Sequence, residues 1–225
     1  MSVPSPSLVE LEFVRQHARE HARVCRNAHP QGVLARIGHW REECLVRQAL
    51  KLAGEPGLLL DLPCGAGRFW PVLAQRGNRV VLAADSSREM LEHCAEHHSP
   101  ELLRRIRTFH GSAFAIGLPE NAVDCIFCVP LFAHVVEREH RLAILGEFHR
   151  VSRDTVILSV CLGGNLMAWR RRHATVRPDL QSWPVLLGKT QIEAEFRAAG
   201  FEIVGHRDFL PGCAMRRVYV LRKDN

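Results

Sequence analysis

Short apolar runs that end at polar or glycine-rich turns recur along the chain. The first, Leu58-Leu59-Leu60, lies between Gly57 and a turn rich in glycine. A run this short and this uniformly apolar is typical of a strand buried on both faces of a parallel sheet. Similar runs predict six further strands, at 78–85, 104–110, 122–129, 155–161, 201–209 and 214–221.

Apolar residues at helical spacing fill the segments between these strands. Helices are predicted at residues 8–29, 33–53, 137–151 and 191–199, the last capped by Thr190. Two further helices are predicted to begin at Arg68 and after Ser86-Ser87. Strands that alternate with helices indicate an α/β protein with a mostly parallel sheet.

The turn after the first strand carries the first candidate chemistry. Asp61 ends the strand, Gly65 and Gly67 follow, and a helix opens at Arg68. Glycines let the backbone bend sharply and let a ligand approach the main chain without meeting a Cβ atom. The helix start beyond them offers free N–H groups and a partial positive charge. This order of elements predicts the nucleotide crevice of an open α/β sheet.

A second acid strengthens this prediction. Asp85 ends the second strand, 20 residues after Gly65, at the position where a carboxylate receives ribose hydroxyls. The alternative is a pair of ordinary strand–helix units in which Asp85 is simply a solvated strand terminus. A nicotinamide dehydrogenase would require a third glycine at position 70 for close helix packing, and Trp70 stands there.

The segments 61–68 and 85–91 resemble the first two motifs of class I S-adenosylmethionine-dependent methyltransferases. The resemblance is closest to the ubiquinone/menaquinone-methyltransferase-like (methyltransferase type 11) branch. It continues through 111–113 and 118–124, ends near Val151, and covers about half of the chain. One departure is Pro63, which stands where the family usually has its first glycine and has no N–H group to donate to a ligand.

The resemblance implies a Rossmann-like, seven-stranded sheet that is mostly parallel with an antiparallel terminal strand. Helices on both faces and an N-terminal helical cap complete this fold. The expected organisation is one compact unit, with the cap at 1–55 and the methyltransferase domain at 56–225. An insertion at about residues 162–188, after the fifth strand, would act as a substrate lid.

The resemblance also implies S-adenosyl-L-methionine as cofactor and S-adenosyl-L-homocysteine as product. Asp85 would bind the ribose diol, the Gly65–Gly67 backbone would hold the methionine portion, and Asp61 would orient the turn and is a candidate for the cofactor's ammonium. Ser112 stands where the family commonly places an acid for the adenine amino group. The cofactor-binding residues implied are Asp61, Pro63, Cys64, Gly65, Gly67, Arg68, Asp85, Ser86, Met90, Ser112, Ala113, Val129 and Leu131.

The acceptor side has weaker signals. His134 is the first residue beyond the fourth strand that can take a proton near neutral pH, which makes it the candidate catalytic base. A hydrogen-bonded structural histidine is the alternative. Aromatic and arginine side chains suit a partly flat, anionic substrate, although a solvated helix face or core packing explains them equally well. The candidate substrate residues are Trp40, Trp169, Arg170, Arg172 and Trp183, with Arg171 and Arg177 beside them.

The composition of the chain does not indicate a membrane-spanning, secreted or metal-binding protein. The 225 residues are 47% hydrophobic and lack an apolar run of the ~20 residues that a membrane span needs. The N-terminal residues do not resemble a signal peptide, so we expect a soluble, cytoplasmic protein. Cys125 and Cys128 spell a C-x-x-C, but within a strand they point to opposite faces, so we predict core thiols and no metal site.

With the resemblance, these observations predict transfer of a methyl group from S-adenosylmethionine to an unidentified acceptor. The acceptor is expected to be a small molecule, and the arginines of the lid would suit an anionic one. Two alternatives stay open. A net charge of +6, with arginine supplying 27 of the 30 basic residues, also suits an RNA (tRNA) methyltransferase, although only 7% of residues are aromatic. A non-catalytic S-adenosylmethionine-binding subunit or sensor is the other. The sequence leaves the acceptor, the atom methylated and the oligomeric state undetermined.

Overall fold

The structure is a computed structural model that describes residues 32–164, 185–210 and 215–224. The predicted helix at 8–29 and most of the predicted lid lie outside these residues. Among the described helices, none combines the length and the apolar character needed to cross a membrane.

An α/β sheet with seven strands along its main path forms the centre of the molecule. The order along this path is β3-β2-β1-β4-β5-β8-β7, and a short additional strand, β6, pairs with the end of β5. Only β8 runs antiparallel, to both of its neighbours. The strands are β1 Leu58–Asp61, β2 Val80–Asp85, β3 Ile106–His110, β4 Val123–Cys128, β5 Ser152–Leu162, β6 Leu186–Leu187, β7 Phe201–Asp208 and β8 Arg216–Lys223. The predicted sheet, with its antiparallel terminal strand, is confirmed.

Helices cover both faces of this sheet. They are α1 Val33–Leu52, α2 Trp70–Leu73, α3 Arg88–His97, α4 Pro100–Leu103, α5 Arg138–Val151 and α6 Lys189–Ala198, with a 3₁₀ turn at Leu131–Ala133. Buried side chains of α1, α2 and α3 pack on one face, and those of α5 and α6 pack on the other. Cys125 and Cys128 belong to these two opposite layers, as the strand period requires.

Two predicted helix starts are wrong. The helix expected from Arg68 begins only at Trp70, with Phe69 as its N-cap, because the turn that follows β1 extends through residues 65–69. Thr190 does not cap the last helix, because the chain already turns into it at Gly188, whose carbonyl accepts the first helical bond from Ile192 at 3.0 Å.

Candidate functional site

The strand order reverses between β1 and β4, and the turn after β1 is held at that point. The Leu62 N–H donates to the Phe127 carbonyl of β4, and the Cys64 N–H donates to the Ala84 carbonyl of β2, both at 2.9 Å. The turn is therefore fixed across the carboxyl ends of three neighbouring strands. In open α/β sheets this edge is where ligands bind.

Asp85 connects this turn to the end of β2. One carboxylate oxygen accepts the Gly65 N–H at 2.9 Å and the other accepts the Ser87 N–H at 2.9 Å. The side chain is buried, with only 2% of its surface exposed, so it is not a solvated strand terminus. Ser87, rather than Ser86, caps α3 by accepting the Met90 N–H. Two motifs that lie 20 residues apart in the chain thus form one hydrogen-bonded unit.

Asp61 has a partner that the sequence did not indicate. Its carboxylate accepts the indole N–H of Trp70 at 3.0 Å, and both side chains are buried. Burial raises the pKa of Asp61 well above its ordinary value of 3.8, and the nearby charge of Asp85 raises it further, against the opposing effect of the Trp70 hydrogen bond. Asp61 orients the turn, as expected, by holding the first residue of α2.

Gly67 lies where no side chain fits. A Cβ atom at this position would be 2.7 Å from the ring of Trp70 and 2.7 Å from His98 Nε2. The His98 ring contacts the Trp70 ring at a tilt of 35°, and its Nε2 lies 2.9 Å from the Ala66 carbonyl oxygen. The second glycine is therefore required by close packing as well as by its positive φ.

Two thiols lie under the same turn. The Cys94 thiol donates to the Gly65 carbonyl at 3.1 Å, and Cys64 lies beside it. Hydrogen bonding with Cys94 and burial raise the pKa of Cys64 far above its ordinary value. Cys64 is therefore a packing group and does not serve as a nucleophile, and Cys94 is fully buried beside it.

The other predicted cofactor residues surround this unit. The Gly111 N–H donates to the Asp85 carbonyl at 3.1 Å, which brings the segment 111–113 alongside the end of β2. The Ser112 hydroxyl accepts the Phe114 N–H and shapes this loop. Apart from Ser86, Ser112 and Arg68, the predicted cofactor residues not yet described are apolar and buried or part-buried: Pro63, Met90, Ala113, Val129 and Leu131.

His134 follows the 3₁₀ turn at the end of β4 and is half-buried. The carbonyl of the preceding residue, Ala133, accepts the Val185 N–H at 2.7 Å, where the chain returns from the predicted lid. On the other side, the Arg141 guanidinium donates to the carbonyls of Val135 and Val136. The loop that carries His134 is thus bonded to its neighbours on both sides.

Helix α1 reaches the turn through a charged cluster that sequence reasoning missed. Glu42 forms ion pairs with Arg68 of the turn and with Arg216 of β8, and Arg68 also donates to His39 Nδ1 at 3.3 Å. Trp40 lies on the same helix with 62% of its surface exposed. The other predicted substrate residues, Trp169, Arg170, Arg172 and Trp183, lie outside the described residues, as do Arg171 and Arg177.

The described residues fit S-adenosylmethionine. A carboxylate can accept about four hydrogen bonds, and Asp85 uses two of them on Gly65 and Ser87, so two positions remain for a ribose diol. Gly65 and Gly67 both have positive φ and carry no side chain, and their turn lies at the strand ends. Pro63 cannot donate a hydrogen bond, so that contact of the usual turn is absent.

Comparison with known proteins agrees with this site. Residues 59–155 match the family model described as a methyltransferase domain, which spans β1 to the start of β5. No curated relative matches the chain.

Solved structures share the fold at low sequence identity. Magnesium protoporphyrin IX methyltransferase from Synechocystis, crystallised with S-adenosylhomocysteine, is 16% identical with a TM-score of 0.72, over 95% of this chain and 97% of that one. The 1,6-didemethyltoxoflavin-N1-methyltransferase of Burkholderia thailandensis is 16% identical with a TM-score of 0.66, over 100% and 94%. The CcbJ methyltransferase of Streptomyces caelestis is 15% identical with a TM-score of 0.61, over 79% and 94%.

The matched domain contains the turn, Asp85 and the end of β4, which are the parts that the fold brings together. The structures that share the fold include methyltransferases crystallised with S-adenosylmethionine or S-adenosylhomocysteine. Residues 59–155 therefore match a methyltransferase domain, and the protein has the fold of S-adenosylmethionine-dependent methyltransferases.

Proposed function

We propose that the protein transfers a methyl group to a small-molecule acceptor, as an enzyme of the ubiquinone/menaquinone-methyltransferase-like branch. The single observation that carries the cofactor half of this proposal is the Asp85 carboxylate, which is 2.9 Å from the Gly65 nitrogen at the strand switch point. The motif at 61–68 supports the branch. S-adenosylmethionine, when bound, supplies a methyl group on a sulfonium centre that leaves as a neutral thioether.

The protein's own residues bind, orient and exclude water. Asp85 accepts the two ribose hydroxyls, and the backbone of Gly65 and Gly67 lies against the methionine portion. The apolar members of the site, among them Met90 and Leu131, keep water from the adenine end. Since the nucleophile needs mainly alignment and a dry site, these roles account for most of the catalysis.

His134 is the proposed general base for an acceptor that must lose a proton. Its loop is fixed by the Ala133–Val185 hydrogen bond and by Arg141, so the backbone that carries His134 is held at the carboxyl edge. An imidazole titrates near neutral pH and can take a proton from a hydroxyl or an ammonium group of the acceptor.

Charge at the same edge favours an anionic acceptor. Arg68 and Arg216 share a single carboxylate, that of Glu42, so this cluster carries one positive charge in excess on the α1 side of the turn, whereas Asp85 lies beneath the turn. Burial lowers the pKa of Arg216, because its guanidinium has little water around it. The arginines predicted for the lid at 162–188 would add to this positive region.

The test is a transfer assay with S-adenosylmethionine labelled on its methyl group, over separate metabolite and RNA pools. We expect label in a small molecule, and label in the RNA fraction would replace the proposed acceptor class. With the acceptor found, His134→Gln should lower transfer by about 100-fold or more while the affinity for S-adenosylhomocysteine stays unchanged. His206→Gln, on the distant strand β7, is the control. Equal rates in both variants would exclude His134 as the base.

A further inference from the structure

A cavity of about 370 Å³ lies between the last turns of α1 and the segment that follows α2. Its polar wall consists of Arg47, Lys51, Glu55, Gln75, Arg76 and Arg79.

This cavity lies at the opposite end of β1 from the candidate cofactor site. Glu55 and Arg79 precede β1 and β2 at their amino ends, whereas Asp61 and Asp85 stand at the carboxyl ends. Four residues of β1 at a rise of about 3.3 Å separate the two ends by roughly 13 Å. A ligand in the cavity would therefore not compete directly with the cofactor.

The wall of the cavity is positively charged. It holds four cationic side chains and one carboxylate, Glu55, which is shared by Arg76 and Arg79 at 3.1 and 2.5 Å. Glu43 pairs with Arg47 from outside the wall at 3.1 Å. With that carboxylate included, two positive charges remain in excess. Lys51 forms no ion pair within the described part of the chain.

Two of the cationic groups, Arg79 and Arg47, are held in place before any ligand arrives. Arg79 is buried and donates to the carbonyls of Pro56 and Leu73 as well as to Glu55. Arg47 donates to the side-chain oxygen of Gln75 at 3.1 Å, which fixes its guanidinium at the wall. Little conformational entropy remains to be lost when these groups bind an anion.

The shape of the cavity and its lining select the kind of anion. The apolar part of the wall is Leu50 and Val72, and no aromatic side chain among the described residues lines it, so none of them offers a nucleobase a ring on which to stack. A concave site of this size encloses a compact group, whereas an extended polymer backbone follows a groove. Arginine forks and a lysine point charge both suit phosphate oxygens.

We propose that this cavity is a second binding site, which takes a small molecule bearing a phosphate or diphosphate group. Arg47, Lys51 and Arg76 contact the anion, and the buried Arg79 compensates the charge of Glu55 in the wall. The proposal does not depend on the identity of the methyl acceptor.

Titration calorimetry of the full chain with pyrophosphate, and then with inorganic phosphate, is the test. We expect the Arg47→Ala/Lys51→Ala variant to bind pyrophosphate about tenfold or more weakly than the unchanged protein. Arg197→Ala/Arg222→Ala removes the same charge from α6 and β8 and should bind as the unchanged protein does. The affinity for S-adenosylhomocysteine should be equal in all three.

An Arg47→Gln/Lys51→Gln variant, which keeps the side-chain length, replaces the alanine variant if that one does not fold. An unchanged protein that binds neither anion would overturn the proposal, and so would equal losses in the two double variants. Binding of single-stranded RNA that exceeds pyrophosphate binding and is lost with Arg47 and Lys51 would also overturn it, since the cavity would then be part of a polymer site.

Discussion

Asp85 has two roles in this protein, and both follow from its two oxygens. It accepts N–H groups from Gly65 and Ser87, so it fixes the turn and the start of α3, and it keeps capacity for a ribose diol. The sequence indicates only the second role, because a strand-end acid is recognisable from spacing alone. Its burial depends on how the turn folds back over β2.

Asp85→Ala should therefore weaken both cofactor binding and folding. Loss of a charge-assisted contact to two hydroxyls lowers S-adenosylhomocysteine affinity by about 10- to 100-fold. The buried Gly65 N–H left without an acceptor costs about 1–3 kcal/mol in the free energy of unfolding, and the part-buried Ser87 N–H costs less. Calorimetry and urea unfolding measure the two effects, with the exposed Asp154→Ala as control. Normal affinity in a folded Asp85→Ala protein would contradict the role of Asp85 in the site.

Asp61 should make the free energy of unfolding depend on pH. Because burial raises its pKa, the folded protein keeps a proton that the unfolded chain loses above pH 3.8. The stabilisation that protonated Asp61 contributes is complete below pH 3.8 and declines as the pH rises towards the pKa of Asp61 in the folded protein. Asp61→Asn removes the titration and keeps an acceptor for Trp70.

Chemical denaturation across pH tests this expectation. The stability of Asp61→Asn relative to the unchanged protein should increase from about pH 4 upwards and then level off. Trp70→Phe removes the donor that opposes the shift, so it should extend the decline to higher pH. A stability difference that stays constant between pH 4 and 8 would show that Asp61 is not buried as described.

At the scale of elements, α1 is attached to the site by its charges. Its C-terminal half packs into the core through Val46, Ala49 and Leu50, whereas the N-terminal half meets the turn and β8 through Glu42. Trp40 and Ile37 on that half remain exposed. The N-terminal half is therefore held over the site by Glu42, by the hydrogen bond from Arg68 to His39 and by Arg41, which donates to the Phe209 carbonyl at 3.0 Å.

Glu42→Ala should loosen that half of α1 selectively. Hydrogen exchange of the amides at 33–45 should become faster, with a loss of roughly 1 kcal/mol in local opening free energy, while the strands keep their protection. Glu43→Ala is a matched control, because Glu43 pairs only with His39 and Arg47 of the same helix among the described residues. Equal changes in the two variants would mean that Glu42 does not anchor the helix.

Helices α5 and α6 are joined by a buried ion pair. Arg141 makes two hydrogen bonds of 2.7 Å to Glu195, and both side chains are almost completely buried. Arg141 also holds the two carbonyls in the loop that carries His134. Removal of one partner leaves an uncompensated buried charge.

Arg141→Met should lower the free energy of unfolding by about 3–5 kcal/mol. The double variant Arg141→Met/Glu195→Leu should recover much of this loss, since no lone charge stays buried. Urea unfolding of the four proteins in this cycle measures both effects. If the double variant is as unstable as the single one, the stability is lost instead with the hydrogen bonds from Arg141 to the Val135 and Val136 carbonyls.

The sequence predicted the helices and strands better than the side-chain contacts that join them. Strands β1, β2 and β4 are within two residues of prediction because their apolar runs end at polar or glycine-rich turns. The pairings Glu42–Arg216 and Arg141–Glu195 join residues 174 and 54 positions apart, and no local pattern encodes them. The Trp70–Asp61 contact could have been found, since a tryptophan at a crowded helix start needs a partner for its N–H group.

At the scale of the whole molecule, the two ends of the sheet have different chemistry. The carboxyl ends of β1 and β2 present two buried acids and a glycine turn, whereas the amino ends adjoin an arginine-lined cavity. The three-layer arrangement keeps both ends rigid, because each helix layer packs against the sheet through its own core. The cofactor and any anion at the cavity should therefore bind independently.

The central claim is that the edge formed by β1, β2 and β4 binds S-adenosylmethionine and its product. Titration calorimetry of the purified full chain with S-adenosylhomocysteine, and separately with NAD, tests this claim most directly. The account predicts one molecule of S-adenosylhomocysteine bound per chain, with affinity reduced in Asp85→Ala, and no binding of NAD. Binding of NAD without binding of S-adenosylhomocysteine would contradict it.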